Sequence, residues 1–305
     1  FEKFHLNWEF SWPWLNLGNV FSERIDWIQW YEYTGVFGGS LWVLCANFLL
    51  FNLLRKYSSF KDKRRFYIRI IPRILLISIP IFISLLVKPK INKGEEFKVL
   101  ITQPKIDPWE SKYGTSKNNL DYFKIFKDLT NEELRANEYD FVFTPETYFS
   151  EGYGENVDYF GYTKLYDSLN NYLSQFNNTN LISGIQFYKL YQNQKEKPTK
   201  SANPVRDNIW VDYFNSSINM STNKGFEYNH KAKLVVGSEY MPFKSFLEPL
   251  IGTVMIDLGG TIRSMGTQHE SERKVFNHSK KDLRTIPIVC YETIDGEYVA
   301  NYVDL

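Results

Sequence analysis

Cysteine is scarce in this sequence, which has two, Cys45 and Cys290, among 305 residues. A disulfide-stabilised domain needs several closely spaced cysteines, whereas these two lie far apart, so we treat each as an unpaired thiol. Histidine is also scarce, and none of the four shows the paired spacing of a zinc site. We therefore predict neither a metal nor a cofactor.

An excess of charge of one sign is lacking as well. Lys and Arg number 36 against 35 Asp and Glu, which gives a net charge of +1. Nucleic-acid-binding domains concentrate positive charge, so this balance argues against a nucleic-acid partner. The mean hydropathy of −0.37 is that of a soluble protein. That average hides a strong asymmetry, because the first 90 residues carry the apolar runs.

Two apolar runs predict membrane-spanning helices. Residues 34–54 contain no charged side chain, and residues 70–87 contain one, Arg73, near the start of the run. A helix of about 20 apolar residues spans the hydrocarbon core of a bilayer, and an arginine near a helix end can extend its guanidinium to the headgroups. The alternative is a buried helix of a soluble protein, which the length of the first run and the presence of the second disfavour.

The loop between the runs, residues 55–69, is basic, with seven Lys or Arg against a single acid, Asp62. Short loops rich in Lys and Arg lie on the cytoplasmic side, so we expect the chain after residue 88 to be extracytoplasmic. We divide the sequence into a membrane segment, 1–90, and an extracytoplasmic domain, 91–305. Because the chain starts at Phe1 rather than Met, we expect a fragment of a multi-pass protein, with the second domain incomplete at its C-terminus.

The second domain alternates β-rich runs with helical stretches. We predict strands at 97–104, 139–146, 179–188 and 286–289, helices at 118–129 and 162–176, and a β-hairpin at 207–220. Strands that alternate with amphipathic helices indicate an α/β layered domain.

Chemically reactive side chains lie at the ends of three β-rich runs, two of them at 139–146 and 286–289 and the third in "YNHKAKLVVGSEYMPF". They are Glu146, then Lys231 with Glu239, and Cys290 followed directly by Tyr291 and Glu292. Function in α/β domains concentrates where strands end, and a thiol, a carboxylate and an ammonium together can carry out covalent acyl transfer. Each residue also has an ordinary interpretation, such as a helix cap, a solvated lysine or an inert thiol. Their combination favours catalysis.

Four sequence segments resemble a known superfamily. "FTPET", "KAKLVVGSEYMP" and "VCYE" resemble the Glu–Lys–Cys signatures of the nitrilase, or carbon–nitrogen hydrolase, superfamily, and "VLITQPKIDPWE" resembles its first strand. With apolar helices in front, the chain resembles the apolipoprotein N-acyltransferase family of bacterial lipoprotein maturation. It departs from the family pattern at "VGSE", where many members have P-F-G-E. That change concerns the local turn more than the chemistry, because Glu239 keeps its spacing.

The resemblance implies a nitrilase-like α-β-β-α sandwich preceded by transmembrane helices. It implies that Glu146 is the general base, that Lys231 stabilises the oxyanion and that Cys290 is the nucleophile. The supporting residues that it implies are Glu239, Tyr291 and Glu292.

The implied reaction moves an acyl chain from a phospholipid, through a Cys290 thioester, to the N-terminal amine of a diacylglyceryl-cysteine of an apolipoprotein. The implied partners are the phospholipid donor, the apolipoprotein acceptor and the bacterial inner membrane, with the catalytic domain in the periplasm. Two alternatives stay open. One is a membrane-tethered amidase acting on a small amide, and the other is an inactive relative that binds lipid or lipoprotein.

Overall fold

The computed structural model describes residues 1–57, 63–87, 94, 96–106, 117–222, 224–251 and 264–303. The chain divides into two compact units, Phe1–Gly94 and Glu95–Leu305.

The first unit is helical. A short helix α1, Glu2–Asn7, and three single 3₁₀ turns precede two long helices, α2, Tyr31–Tyr57, and α3, Lys63–Val87. Both predicted apolar runs are therefore helical, and helical structure also replaces much of the predicted loop 55–69, whose residues 58–62 lie outside the described part of the chain. Lys and Arg are good helix formers, so the end of an apolar run does not mark the end of its helix.

Side chains of one long helix bind backbone carbonyls of the other. Pro80 has no N–H with which to bond the carbonyl of Leu76 four residues earlier, and the indole Nε1 of Trp42 donates to that carbonyl oxygen at 2.8 Å. In the same way Arg73 Nε donates to the carbonyl oxygen of Leu49 at 2.9 Å. These two bonds compensate for polar groups that an apolar environment would leave unsatisfied.

Both long helices have the length and composition of membrane spans. The windows Tyr31–Arg55 and Phe66–Val87 have mean hydropathies of 1.7 and 2.5. Large apolar side chains on them, such as Phe48 and Phe82, are exposed within the unit. An exposed apolar surface of this kind needs a lipid or protein cover.

The second unit is built on a mixed seven-stranded sheet, which confirms the α/β class. Its main path runs β1, Val99–Ile101; β2, Phe141–Phe143; β4, Asn180–Gln192; β6, Ile209–Ser221; and β5, Asn203–Arg206. The first three are parallel, and β6 is antiparallel to β4 over 12 residue pairs. Two further strands join the sheet: β3, Glu155–Asn156, pairs with β4, and β7, Gly225–His230, pairs with β6.

Helices cover one face of this sheet. They are α4, Asn119–Ala136, and α5, Lys164–Leu173. Helix α4 begins with a capping box in which Asn118 and Asp121 satisfy each other's backbone N–H groups. Phe126 and Leu169 pack from the helices against Leu181 and Ile185 of β4.

Residues 264–303 cover part of the opposite face. There a two-stranded sheet forms from β8, Phe276–Asn277, and β9, Arg284–Thr285. Phe276 packs against Phe141 and Ile182 of the large sheet. The described residues therefore give a helical layer, a large sheet and a small second sheet. Two short helices, α6, Lys244–Ile251, and α7, Gly296–Ala300, complete the unit.

Two strand predictions were wrong. Residues 207–220 form no hairpin, because β6 runs without a turn to Ser221, and the turn lies before it at Asp207 and Asn208, whose φ is +57°. The polar residues inside β6 are buried, and the side chains of Asn215, Ser216 and Asn219 are hydrogen-bonded. Residues 286–289 belong to no strand in the described structure. Val289 is extended, but its N–H bonds a carboxylate instead of a neighbouring strand.

Candidate active site

Three chain segments bring the predicted residues together in the second unit. Glu146 follows β2, and Lys231 follows directly after β7. Cys290 is the first residue of a 3₁₀ turn, Cys290–Ile294. The ammonium of Lys231 lies 2.9 Å from Oε1 of Glu239 and 3.7 Å from Oε1 of Glu146. The Glu146 carboxylate lies close enough to the Cys290 thiol to raise its pKa.

Lys231 is the buried cation of this cluster, with 1% of its side chain exposed. Burial lowers the pKa of a lysine, but here the charges of Glu239 and Glu146 outweigh burial and the pKa of Lys231 is raised. The ammonium therefore stays protonated at neutral pH. Its backbone N–H also donates to the carbonyl of Asn215 on β6 at 2.8 Å, which fixes the start of its side chain to the sheet.

Glu239 binds the ammonium and shapes the loop at the same time. Its Oε2 accepts from the backbone N–H of Val235 at 2.7 Å. The turn between these residues passes through Gly237, whose φ is +82°, a conformation that favours glycine. The sequence "VGSE" therefore makes its own tight turn, and Glu239 reaches Lys231 as its spacing predicted.

Cys290 has a strained backbone and a protonated thiol. Its φ is +48°, a left-handed conformation that costs a side-chain-bearing residue about 1–2 kcal/mol and that is found most often at functional sites. The residue is exposed at its outer side, yet partial desolvation raises the pKa of the thiol. The nearby Glu146 carboxylate raises it further, and Lys231 acts in the opposite direction.

Asn215 is a member of the cluster that the sequence analysis missed. Its Nδ2 donates to Oε1 of Glu146 at 2.6 Å and lies 3.3 Å from Oε1 of Glu239. The residue is 3% exposed. One amide therefore holds both carboxylates, which sets the position of Glu146 relative to the thiol. The only indication in the sequence was a polar residue within a β-rich run, and that run was predicted to be a hairpin.

Glycine at position 184 permits the approach of the loop that carries Glu146. A Cβ atom there would lie 2.4 Å from the carbonyl oxygen of Pro145 and 2.4 Å from the backbone nitrogen of Thr147. These distances are far below van der Waals contact, so no other residue fits without moving the loop. Both ends of the loop are bonded to β4. The N–H of Thr144 donates to the carbonyl oxygen of Ile182, and the N–H of Phe149 donates to the carbonyl oxygen of Gly184.

Glu292 lies beside the site but does not point into it. Its side chain is fully buried, and its two oxygens accept from the backbone N–H groups of Ala232 and Val289, each at 2.7 Å. Burial raises the pKa of this carboxyl, and these hydrogen bonds act in the opposite direction. Glu292 thus ties the residue after Lys231 to the residue before Cys290. Tyr291 is buried beside it.

Within the described ranges, no group of three His, Cys, Asp or Glu side chains could hold a metal ion. The segment that resembles the superfamily's first strand is described only to Ile106, so its Asp107 lies outside the described residues.

No protein-family model matches the chain. A curated relative, the apolipoprotein N-acyltransferase of Chlorobaculum tepidum, is 24% identical over 99% of this chain and 55% of its own length. The chain thus spans about half the length of that relative. Its similarity to solved structures is weaker. A CN-hydrolase superfamily protein of Xanthomonas campestris with an arsenic adduct in its active site matches with a TM-score of 0.38 and 14% identity, over 67% of this chain and 57% of that one. The glutamine-dependent NAD+ synthetase of Acinetobacter baumannii, solved with ADP, matches with a TM-score of 0.37 and 14% identity, over 69% and 31%.

Proposed function

We propose that this protein transfers an acyl chain from a phospholipid to the N-terminal amine of a diacylglyceryl-cysteine of an apolipoprotein, through a thioester on Cys290. The observation that carries the proposal is the joint placement of a thiol, a neighbouring carboxylate and a buried ammonium. The similarity to an apolipoprotein N-acyltransferase and the two apolar helices support this choice of substrates.

In the first half-reaction Glu146 acts as general base. The thiol proton moves to the carboxylate while sulfur attacks the ester carbonyl carbon of the phospholipid. This transfer leaves the net charge of the site unchanged, because Glu146 becomes neutral as the negative charge moves to the carbonyl oxygen of the ester. Lys231 stabilises the tetrahedral oxyanion. The ester C–O bond then breaks, Glu146 protonates the leaving oxygen, and a lysophospholipid departs.

In the second half-reaction the amine of the acceptor attacks the thioester carbon. Glu146 accepts a proton from the attacking nitrogen, the C–S bond breaks, and the sulfur recovers a proton from Glu146. The products are an amide and the free thiol. Glu239 and Asn215 hold Lys231 and Glu146 in place through both steps, and Glu292 holds the backbone beside Lys231 and Cys290.

We further propose that the helices α2 and α3 span the bacterial inner membrane with their basic connection in the cytoplasm. The catalytic unit is then periplasmic. A single cysteine introduced at Lys195, an exposed surface residue, tests this orientation in a Cys45→Ala and Cys290→Ala background. We expect an impermeant maleimide to label it in spheroplasts, and protection there would refute the topology.

The choice of acceptor distinguishes the transferase from an amidase. We expect protein preloaded with phospholipid acyl chain to pass that chain to a diacylglyceryl-cysteine peptide with a free amine. The same peptide with an acetylated amine should leave the adduct in place, because its nitrogen can no longer attack. Steady hydrolysis of a small amide without any acyl adduct would support the amidase instead and refute the proposal.

A further inference from the structure

A cavity of about 300 Å³ lies against Glu146 on the side formed by the ends of β1 and β2. Its described lining consists of residues 103–106, which follow β1, and residues 145–148, which follow β2. These strands are parallel neighbours, and the crevice outside the carboxyl ends of parallel strands is the usual ligand site of an α/β sheet. No role has yet been given to this cavity.

The cavity reaches the base without reaching the nucleophile. Among the described residues its lining includes Glu146 but not Lys231, Glu239 or Cys290. The side chain of Glu146 is 38% exposed, so a bound molecule can contact it. A group held here can contact the carboxylate that takes protons.

The size and lining of the cavity favour a short peptide over an acyl chain. An extended acyl chain covers half of a ~30 Å hydrocarbon core, about 15 Å, which is far longer than a compact cavity of about 300 Å³. Pro104, Ile106 and Pro145 give it apolar walls. Gln103 and Lys105, which are both exposed, add an amide and an ammonium at its edge. Apolar walls with a few polar groups are typical of small-ligand sites.

We propose that this cavity binds the peptide end of the acyl acceptor, namely its α-amine and the first residues after the modified cysteine. This inference rests on the proposed function. An α-amine has an ordinary pKa of about 7.7–8.0 and is largely protonated at neutral pH, so it is attracted to Glu146. One proton of the ammonium passes to water, and Glu146 accepts a second as the neutral nitrogen attacks the thioester carbon. The C–S bond then breaks, and the sulfur of Cys290 takes that proton from Glu146. The donor phospholipid approaches Cys290 without occupying the cavity.

The two half-reactions test this assignment separately. We expect Gln103→Trp, which places a large ring at the exposed edge, to form the Cys290 thioester from phospholipid vesicles within about twofold of the wild-type rate. Discharge by a diacylglyceryl-cysteine peptide should require at least a tenfold higher peptide concentration. Discharge by hydroxylamine, which needs no peptide site, should be unchanged. Lys195→Trp, on the exposed excursion after β4, is the matched control and should behave as wild type.

Ile106→Trp fills the cavity from its wall and is an independent test of the same two rates. The melting temperature of this variant is measured to establish that it is folded. Slow thioester formation with normal peptide discharge would assign the cavity to the donor and overturn the proposal. Normal rates of both steps in both variants would show that neither substrate uses it. Absence of any thioester in the wild-type protein would instead refute the proposed function, which keeps the two failures distinct.

Discussion

Gly184→Ala is a small change in β4 with a calculable effect on the base. The new Cβ would lie 2.4 Å from two backbone atoms of residues 145 and 147, whereas ordinary contact begins at 3.4 Å. Strand β4 is paired along its whole length with β6, so the loop has to move, by about 1 Å. A displacement of that size at a catalytic group costs on the order of 100-fold in rate.

The assay is single-turnover formation of the Cys290 thioester from phospholipid. We expect a loss of about 100-fold. Overpacking also destabilises a protein by about 1–3 kcal/mol, and each kcal/mol lowers the melting temperature of a domain this size by about 2–4 °C. The variant should therefore remain folded at the assay temperature. Alkylation of Cys290 by iodoacetamide should persist, because the thiol lies on a different segment.

Gly161→Ala is the matched control, since its new Cβ would meet no neighbour closer than 3.7 Å, at the ring of Phe226. We expect a wild-type rate from this variant. A folded Gly184→Ala protein that forms the thioester at the wild-type rate would refute the claim that this loop positions the base. So would an equal loss in both variants.

Three further predictions concern other groups of the site. Asn215→Ala removes the donor shared by Glu146 and Glu239. Because a hydrogen bond to a charged group contributes about 1.5–3 kcal/mol, thioester formation should slow about 10- to 100-fold in single-turnover assays. Asn215→Asp, which adds a third carboxylate, should be slower still, and normal rates in both variants would contradict the role of Asn215. Glu292→Gln leaves one buried backbone N–H without its acceptor. It should lower the free energy of unfolding, measured by denaturant titration, by about 1–3 kcal/mol. An unchanged free energy of unfolding would contradict the bonds to Ala232 and Val289. Because the pKa of the Cys290 thiol is raised above its ordinary range by desolvation and by the Glu146 carboxylate, its alkylation rate without substrate should keep rising up to pH 9. A plateau near pH 7 would contradict a protonated resting thiol.

The sequence indicated which polar groups the fold brings together better than it predicted the strands around them. Glu146, Lys231, Glu239 and Cys290 follow from local motifs, because each motif fixes residue type and spacing. The strand predictions were wrong where strand formation depends on which partner bonds the backbone N–H groups. Residues 286–289 have the composition of a strand, but the N–H of Val289 is bonded by a side chain, the Glu292 carboxylate, instead.

Asn215 and Gly184 could not be assigned from the sequence for a related reason. The role of each depends on a chain segment far away along the sequence, namely the loop of Glu146. An isolated glycine inside a strand does indicate close approach of another backbone, and "LISGIQFY" carries that signal. It does not say which segment approaches.

The central claim is a covalent acyl intermediate on Cys290, and intact mass spectrometry after incubation with phospholipid alone tests it most directly. The chain has one other cysteine, Cys45, which supplies the control. The account predicts a mass increase of one acyl chain in the wild type and in Cys45→Ala, removable by neutral hydroxylamine, and no increase in Cys290→Ala. An adduct that persists in Cys290→Ala, or that never forms in a wild-type protein active on its acceptor, would contradict it.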